Sequence, residues 1–405
     1  MRIAIIGTGV AGSLLAEMLL AGPAPGRPGI TLDAFDRLEA DEEAQAGTGL
    51  NVGPNAMKAL RLHLPARHAA VRAAALPWAR WFIEMADGER LFDLDMAEVA
   101  EEPGIRLRWS ALYAVLRAPV AARTRRGCTL EALEEDAKGR LMPVLRGRGA
   151  LFRPGAYDLL VAGDGRYSAL RRLTLGAPKS RMLGVAMTRL LVPDARDAPL
   201  DDYGQWFHGA ARLLAYRLPG GAAYIAGSVP LDAAEAEIPE AARSPAFQHA
   251  LYTPAGRIAP AMAWMRDMLV AHAPRLHWAR LQESRLERVA MDGRVLLLGD
   301  AAHAMVPTLG QGATQAIEDG VLAGAVLRAG GDARAVARLR DDRVEWVRQL
   351  SLAASDTLLP PFSPLAREAR AGALAKSGPD FMAALRRLYT DVPGPEAARA
   401  AMAGG

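Results

Sequence analysis

Residues 293–320, GRVLLLGDAAHAMVPTLGQGATQAIEDG, decide the reading of this chain. Residues 295–298 are a short apolar run, the composition of a strand buried on both faces. Gly299 and Asp300 end it. Pro307, Gly310 and Gly312 then lead into a helix predicted to begin near Ala313 and to carry Glu318 and Asp319. A strand, a carboxylate and a glycine-rich turn at a helix start are the parts of a phosphate or diphosphate site. The turn exposes backbone N–H groups, and the helix dipole favours anionic or electron-rich ligand atoms there.

The other end of the chain carries a second such unit. Arg2–Ile6 reads as a strand and residues 13–20 as a helix, with Gly7-Thr8-Gly9-Val10-Ala11-Gly12 between them. This is G-x-G-x-x-G in its required context. Gly7 permits the tight turn, Gly9 lets the backbone approach a pyrophosphate, and Gly12 lets helix pack on strand. After a Pro- and Gly-rich loop over 22–29, residues 30–35 form a second predicted strand ending at Asp36 and Arg37. A carboxylate at Asp36 can accept hydrogen bonds from a ribose hydroxyl.

Between the two units, Gly47, Thr48, Gly49, Asn51, Gly53 and Asn55 punctuate a short strand, and residues 56–62 read as a helix with Asn55 as its N-cap. Residues 78–94 alternate as two strands around an Asp87-Gly88 turn. Arg108 opens a helical run to Leu116. Small strands follow over 129–135, 141–146 and 151–152. Residues 158–171 are an apolar strand, an Asp164-Gly165 turn and a helix start with Ser168 and Arg171. From about 176 to 284 the character changes to alternating strands (212–217, 222–229) and a helix over 260–272. After Gly320 come helices, breaks at Pro360, Pro361 and Pro364, a helical tail over 365–390 and a loose end.

These motifs resemble the FAD-dependent aromatic hydroxylases, the para-hydroxybenzoate hydroxylase-like flavoprotein monooxygenases. The family's GDAAH, Pro, GQGAN and E-D series is matched by Gly299 to His303, Pro307, Gly310 to Ala313 and Glu318-Asp319. Thr314 stands where Asn is usual and Gly320 where Ala is usual. The 158–171 segment resembles the family's DLLVGADG fingerprint with Gly and Ala inverted to Ala162-Gly163, and 108–116 resembles its R-x-x-L-x-x-x-L helix. Residues 343–351 resemble its Arg-rich helix.

The resemblance implies an α/β fold: a Rossmann-like FAD-binding domain (1–75 with 100–175 and 285–350), an inserted β-sheet substrate domain (76–99 with 176–284) and a C-terminal helical segment (351–405). It implies FAD held by Gly7, Gly9, Val10, Ala11, Gly12, Asp36, Arg37, Gly49, Arg108, Asp164, Gly165, Asp300, Pro307, Gly310, Gln311, Gly312, Ala313 and Thr314, with NADH or NADPH as a transient reductant. It implies hydroxylation of a small aromatic or N-heteroaromatic substrate with molecular oxygen, through a flavin C4a-hydroperoxide beside Pro307. Tyr216 is a candidate to orient or deprotonate the substrate and His208 to relay a proton, against the alternative that each is a satisfied sheet residue. Asn51 takes the place where some hydroxypyridine hydroxylases have His, and an amide is no base at neutral pH. His303 reads as a structural hydrogen-bonder.

Composition narrows the classes further. Fifty-one per cent hydrophobic residues over 405 supply an ample core, and a net charge of +4 is small for this length. No basic run is interleaved with aromatics, so no nucleic-acid module is expected. Cys128 is the only cysteine, which excludes an intramolecular disulfide and a thiolate cluster within one chain and suits a cytoplasmic setting. No metal site is expected. No run reaches membrane-spanning length. The apolar stretch to Leu20 has the outline of a secretory signal, but its glycine pattern assigns it to the nucleotide fold. A monomer or homodimer is expected. A reductase or halogenase of the same fold, a flavin-binding protein without turnover and a plain NAD(P)-dependent dehydrogenase stay open, although a halogenase's W-x-W-x-I-P is absent from the sequence.

Overall fold

A computed structural model describes residues 1–27, 29–39, 49–231, 237–355 and 365–403. The readings at Gly47, Thr48, Pro360, Pro361 and Pro364 lie outside these residues. At the centre is a six-stranded sheet in the order Val289–Ala290, Val295–Leu297, Leu159–Ala162, Arg2–Ile6, Thr31–Phe35, Thr124–Arg125. All neighbours pair parallel except the first two. The strands alternate with period two. Ile3, Ile5, Val161 and Leu296 face the helices Val10–Leu20 and Gln311–Arg328. Ala4, Ile6, Leu160, Val295 and Leu297 face a three-stranded antiparallel sheet built from Cys128–Glu135, Leu141–Gly147 and Ala150–Phe152. Burial on both faces is why these strands read as unbroken apolar runs.

The second large sheet has seven strands, in the order His277–Ser284, Ser180–Val192, Ala223–Pro230, Ala211–Arg217, Tyr203–His208, Arg80–Met85, Arg90–Asp95. One face packs Leu213, Ala215, Ile225 and Trp206 against Met262, Met265 and Leu269 of helix Pro260–Ala271. The other face presents Leu214, Tyr216, Tyr224 and Met187 to Met305, Leu309 and the C-terminal helices. A small sheet of Gly49–Val52, Gly104–Arg108 and Leu76–Trp78 stands between the two large ones. Residues 76–78, grouped from the sequence with the substrate sheet, pair instead with Gly104–Arg108.

Several boundaries shift for physical reasons. The first helix begins at Val10, because Gly9 is its N-cap, and the motif helix begins at Gln311, because Gly310 is left-handed at φ 66°. Asn55 is not an N-cap. Pro54 occupies the first helical position, Gly53 caps, and Asn55 lies inside the helix, fully buried. Residues 395–403 are not loose: Pro395–Ala403 is a helix with Ala398 buried in the main core. Gly320, in place of the family's Ala, has a reason as well. A Cβ there would lie 2.7 Å from the Ala11 carbonyl oxygen, so the first helix and the motif helix meet at backbone contact.

A fully buried charge network locks the motif helix. Asp319 Oδ2 accepts from the Gly299 N–H at 2.9 Å and from Arg288 at 3.0 Å, and lies 2.7 Å from His303 Nε2. Its Oδ1 accepts from Arg340 Nε at 2.9 Å. Glu318 accepts from Arg340 and Arg343 of helix Ala333–Ala353 and from Asn55 Nδ2 at 2.6 Å. Removing one partner of such a set leaves an uncompensated buried charge. Arg340→Met is therefore expected to destabilise the fold by about 3–5 kcal/mol, read as a lowered urea midpoint at unchanged slope. The carboxylates also set the acid limit. Burial opposes the charge on Glu318, but Arg343 and Arg340 overcome it and hold its pKa at about 2, against an ordinary 4.5. Its contribution is complete above pH 4.5 and is lost as pH falls toward 2. Unfolding free energy measured by denaturant titration is expected to drop by about 3 kcal/mol across that window from this group, and to drop less in Glu318→Gln.

Candidate functional site

The carboxyl ends of the parallel strands bring the motifs together. Gly7 follows the first strand, Asp36 the second, Asp164 the strand Leu159–Ala162 and Asp300 the strand Val295–Leu297. Two turns cross almost in contact here. A Cβ at Gly12 would lie 2.1 Å from the Gly7 carbonyl oxygen, and one at Gly163 would lie 2.4 Å from the same atom. The inverted Ala162-Gly163 pair thus keeps glycine at the crossing.

Two helix starts face the groove. Neither Gly9 nor Gly310 caps with a side chain, and neither helix has an acidic residue in its first turn. First-turn N–H groups without a capping side chain are a ready site for anionic or electron-rich atoms. Gly9, Asp164, Gly165, Asp300, Gly310 and Gly312 keep partial exposure in the middle of the fold, and Arg37, Arg108 and Pro307 are exposed. Val10, Ala11, Gln311, Ala313 and Thr314 are buried in the two helix starts.

Side-chain chemistry lines the groove. Asp36 Oδ2 accepts from the Thr8 N–H and hydroxyl, each at 2.7 Å, and from Arg117 at 3.2 Å. Its Oδ1 accepts from the Leu38 N–H at 2.9 Å. Asp164 Oδ2 accepts from the Ala169 N–H at 2.8 Å, while its buried Oδ1 has no protein partner. Burial raises the Asp164 pKa above the ordinary carboxylate value. Ser168 caps helix Ala169–Leu175, and Arg171 holds the Ala301 carbonyl at 2.7 Å and reaches Glu287. Both are scaffold.

The far end of the groove is built from three elements. Asn51 lies against Gly310, where an added Cβ would stand 2.5 Å from its Nδ2, and that Nδ2 is buried without a hydrogen bond. Thr314 accepts from the Gly53 N–H at 2.9 Å and donates to the Gly310 carbonyl at 2.8 Å, so this departure from Asn ties the Asn51 segment to the motif helix. A Cβ at Gly49 would touch Tyr224 Cβ at 2.4 Å, so the large sheet closes over this end. Tyr224, Tyr216 and Tyr203 form a ring series with centroids 5.0 and 5.5 Å apart, and Trp78 lies 5.2 Å from Tyr203.

Tyr216 and His208 part company here. Tyr216 is 2% exposed on the face toward Leu309. Burial pushes its phenol well above 10, which favours the orienting half of its expected role over the deprotonating half. His208 lies on the opposite face with Trp206, and its Nδ1 is 2.8 Å from the Leu251 carbonyl. Strand alternation carries it away from the groove. His303 is a structural partner of Asp319, as expected. The sequence reading missed Arg117 and Tyr113. Arg117 donates to the Thr8 carbonyl at 2.6 Å and lies 4.6 Å over the Tyr113 ring. Burial, with the charges of Asp300 and Asp36, raises Tyr113 to about 12. The available signal was position: both lie on helix Trp109–Arg117, whose N-cap is the recognised Arg108 at the end of strand Gly104–Arg108.

Residues 266–343 match a family model described as FAD binding domain. A FAD-dependent urate hydroxylase of Klebsiella pneumoniae is 29% identical over 373 residues, covering 87% of this chain and 88% of the relative. A 3-amino-4-hydroxybenzoate 2-monooxygenase, PtmB3, of Streptomyces platensis is 29% identical over 377 residues, with 86% of each covered. The solved structure of Klebsiella pneumoniae HpxO complexed with FAD and uric acid superposes with a TM-score of 0.78 at 24% identity, over 97% of both chains.

Asp300 keeps 38% of its side chain exposed at the groove between the two helix starts. Asp300→Ala is expected to leave the fold intact and to weaken dinucleotide binding about tenfold or more, the loss of a charge-assisted hydrogen bond of about 1.5–3 kcal/mol. Equilibrium dialysis of the purified apoprotein against FAD checks it.

Proposed function

We propose that this chain, which belongs to the para-hydroxybenzoate hydroxylase-like FAD-dependent hydroxylases, is an NAD(P)H-consuming monooxygenase of a small aromatic or N-heteroaromatic ring. One observation carries the reading. Two uncapped helix starts and the Asp164 and Asp300 carboxylates share a groove whose far end opens on Asn51 and an aromatic wall. The residues fit FAD: a Cβ at Gly165 would meet nothing within 4 Å and one at Gly312 only Asp300 Oδ1 at 3.7 Å, so the backbone there is open to a ligand, and the buried Asp164 Oδ1 lacks a partner among the described residues. Bound FAD supplies the oxygen activation that no side chain performs.

The chain's residues hold and shape. The N–H groups of Val10 to Gly12 take the diphosphate, and Asp36 the ribose beside Arg37. Asp164 and Asp300 accept from the remaining hydroxyls of the cofactor chain. Gln311 and Gly312 at the start of the motif helix would hold the electron-rich edge of the ring system, and Pro307 and Asn51 would help shape its surroundings. Trp78, Tyr203, Tyr216, Tyr224 and Leu309 supply a buried, largely apolar wall, which excludes water from the reacting atoms. Tyr216 keeps its proton and donates. Asn51 cannot take a proton and His208 faces elsewhere, so activation rests on a substrate ring that is electron-rich as bound.

The test is a purified, FAD-loaded protein given NADH or NADPH, oxygen and a panel of hydroxypyridines, hydroxybenzoates and bicyclic phenols. Substrate-dependent oxidation with a product heavier by one oxygen atom is expected. A colourless protein that cannot be reconstituted with FAD refutes the reading. Tyr216→Phe is expected to retain FAD and to lower kcat about tenfold, one hydrogen bond's worth, without moving any pKa of the pH–rate profile below pH ~9.

A further inference from the structure

Helix Trp109–Arg117 carries a ladder of three side chains with an unpartnered donor at its middle. Leu112 and Leu116 fill the main core, while Trp109, Tyr113 and Arg117 line up one turn apart. The Trp109 and Tyr113 rings have centroids 5.4 Å apart, and the Arg117 guanidinium sits 4.6 Å over the Tyr113 ring. Arg117 is itself fixed. It is buried, its Nε donates to the Thr8 carbonyl at 2.6 Å, and it donates to Asp36 Oδ2 at 3.2 Å. Tyr113 is therefore held in one place beside the first glycine-rich turn. Its hydroxyl makes no hydrogen bond to a described residue.

The position of that hydroxyl along the groove follows from the sheet. Asp300 follows strand Val295–Leu297 and Asp36 follows strand Thr31–Phe35, with two strands between them. Three strand spacings put the two carboxylates about 14 Å apart. Burial raises the Tyr113 phenol to about 12, and the charges of Asp300 and Asp36 both add to the effect. A phenol that both carboxylates reach stands between them, and it stays protonated near neutral pH. The same order holds along FAD: ribose at one end, ribityl chain at the other, diphosphate in the middle. With Asp36 at the ribose and Asp300 at the ribityl hydroxyls, the middle falls to the diphosphate. Its oxygens are acceptors only, and a neutral phenol fixed by stacking is a donor suited to them.

Resting on the FAD reading above, we propose that Tyr113 is a further cofactor-binding residue, whose hydroxyl donates to a diphosphate oxygen of FAD in addition to the N–H groups of Val10 to Gly12. Arg117 is the positioning residue: one guanidinium holds the Tyr113 ring, the Thr8 turn and Asp36 in a single register. The ladder therefore recognises the phosphate linker and leaves the flavin ring to the motif helix.

The experiment compares the FAD-loaded full chain with its Tyr113→Phe variant, which keeps the stacked ring and removes only the hydroxyl. Phosphorus-31 NMR of the bound FAD and the FAD dissociation constant are measured, without NAD(P)H or substrate. Tyr113→Phe is expected to move a diphosphate resonance, to raise the dissociation constant about tenfold and to leave the visible flavin spectrum in place. Unmoved phosphorus resonances overturn the proposal, and so does an unchanged dissociation constant. A shifted flavin spectrum with unmoved phosphorus places the hydroxyl at the ring and overturns it too. Arg117→Met tests the positioning role: in its background, Tyr113→Phe is expected to cost much less than tenfold, and an undiminished loss removes Arg117 from the proposal. Should Arg117→Met fail to fold, Arg117→Lys, which keeps the charge beside Asp36 and loses the planar stack, replaces it. An unmutated protein that takes up no FAD defeats the reading on which this rests. Normal uptake with an indistinguishable Tyr113→Phe variant defeats this inference alone.

Discussion

The buried set of Glu318 and Asp319 with Arg340, Arg288 and His303, joined by the half-buried Arg343, is the constraint on which the rest of the structure depends. Buried ion pairs seldom add much net stability over an apolar replacement, because desolvation offsets their attraction. What they add here is position. Asp319 fixes the Gly299 turn through its N–H, and Glu318 fixes the Asn55 segment through an amide. Helix Ala333–Ala353 supplies the positive charge from Arg340 and Arg343. Segments far apart in sequence are thus held against one helix, and that helix start faces the groove.

The same helix must lie close to the first one. The contact of Gly320 with Ala11 seats the start of the first helix against the body of the motif helix, and both helix starts are uncapped and without acidic residues. Backbone N–H groups at the helix starts are thus left without side-chain caps, with Asp36, Asp164 and Asp300 just beyond the ends of neighbouring parallel strands. Backbone N–H groups at turns cost nothing to reorganise, which suits a site that holds a large ligand in one register.

The seven-stranded sheet adds a different environment. Its two faces have opposite duties, and period-two alternation separates them: Leu213, Ala215 and Trp206 build a core with helix Pro260–Ala271, while Leu214, Tyr216 and Tyr203 close the site. An apolar, aromatic wall excludes water, and the same low-polarity setting makes each unpaired polar atom on it expensive. Arg212 Nε and Asn51 Nδ2 are such atoms.

The sequence by itself determined the nucleotide fold. Gly7 to Gly12, Asp164-Gly165 and Gly299 to Gly312 encode turns between strand and helix, and local geometry forces those residue types wherever a backbone must come close. His303 as a structural partner was legible for the same reason, being one helical turn from its motif. Tertiary structure alone decided the rest. Asn55 looked like a cap, but Pro54 starts the helix and a buried carboxylate claims the amide. His208 and Tyr216 looked equivalent, yet strand register sends them to opposite faces, and burial keeps Tyr216 protonated. The pairing of Arg117 with Asp36 and the isolation of Arg212 join or separate residues from distant segments. Local patterns record what neighbours in sequence require of each other; which charge meets a partner, and which is left for a ligand, depends on packing that no window of sequence contains.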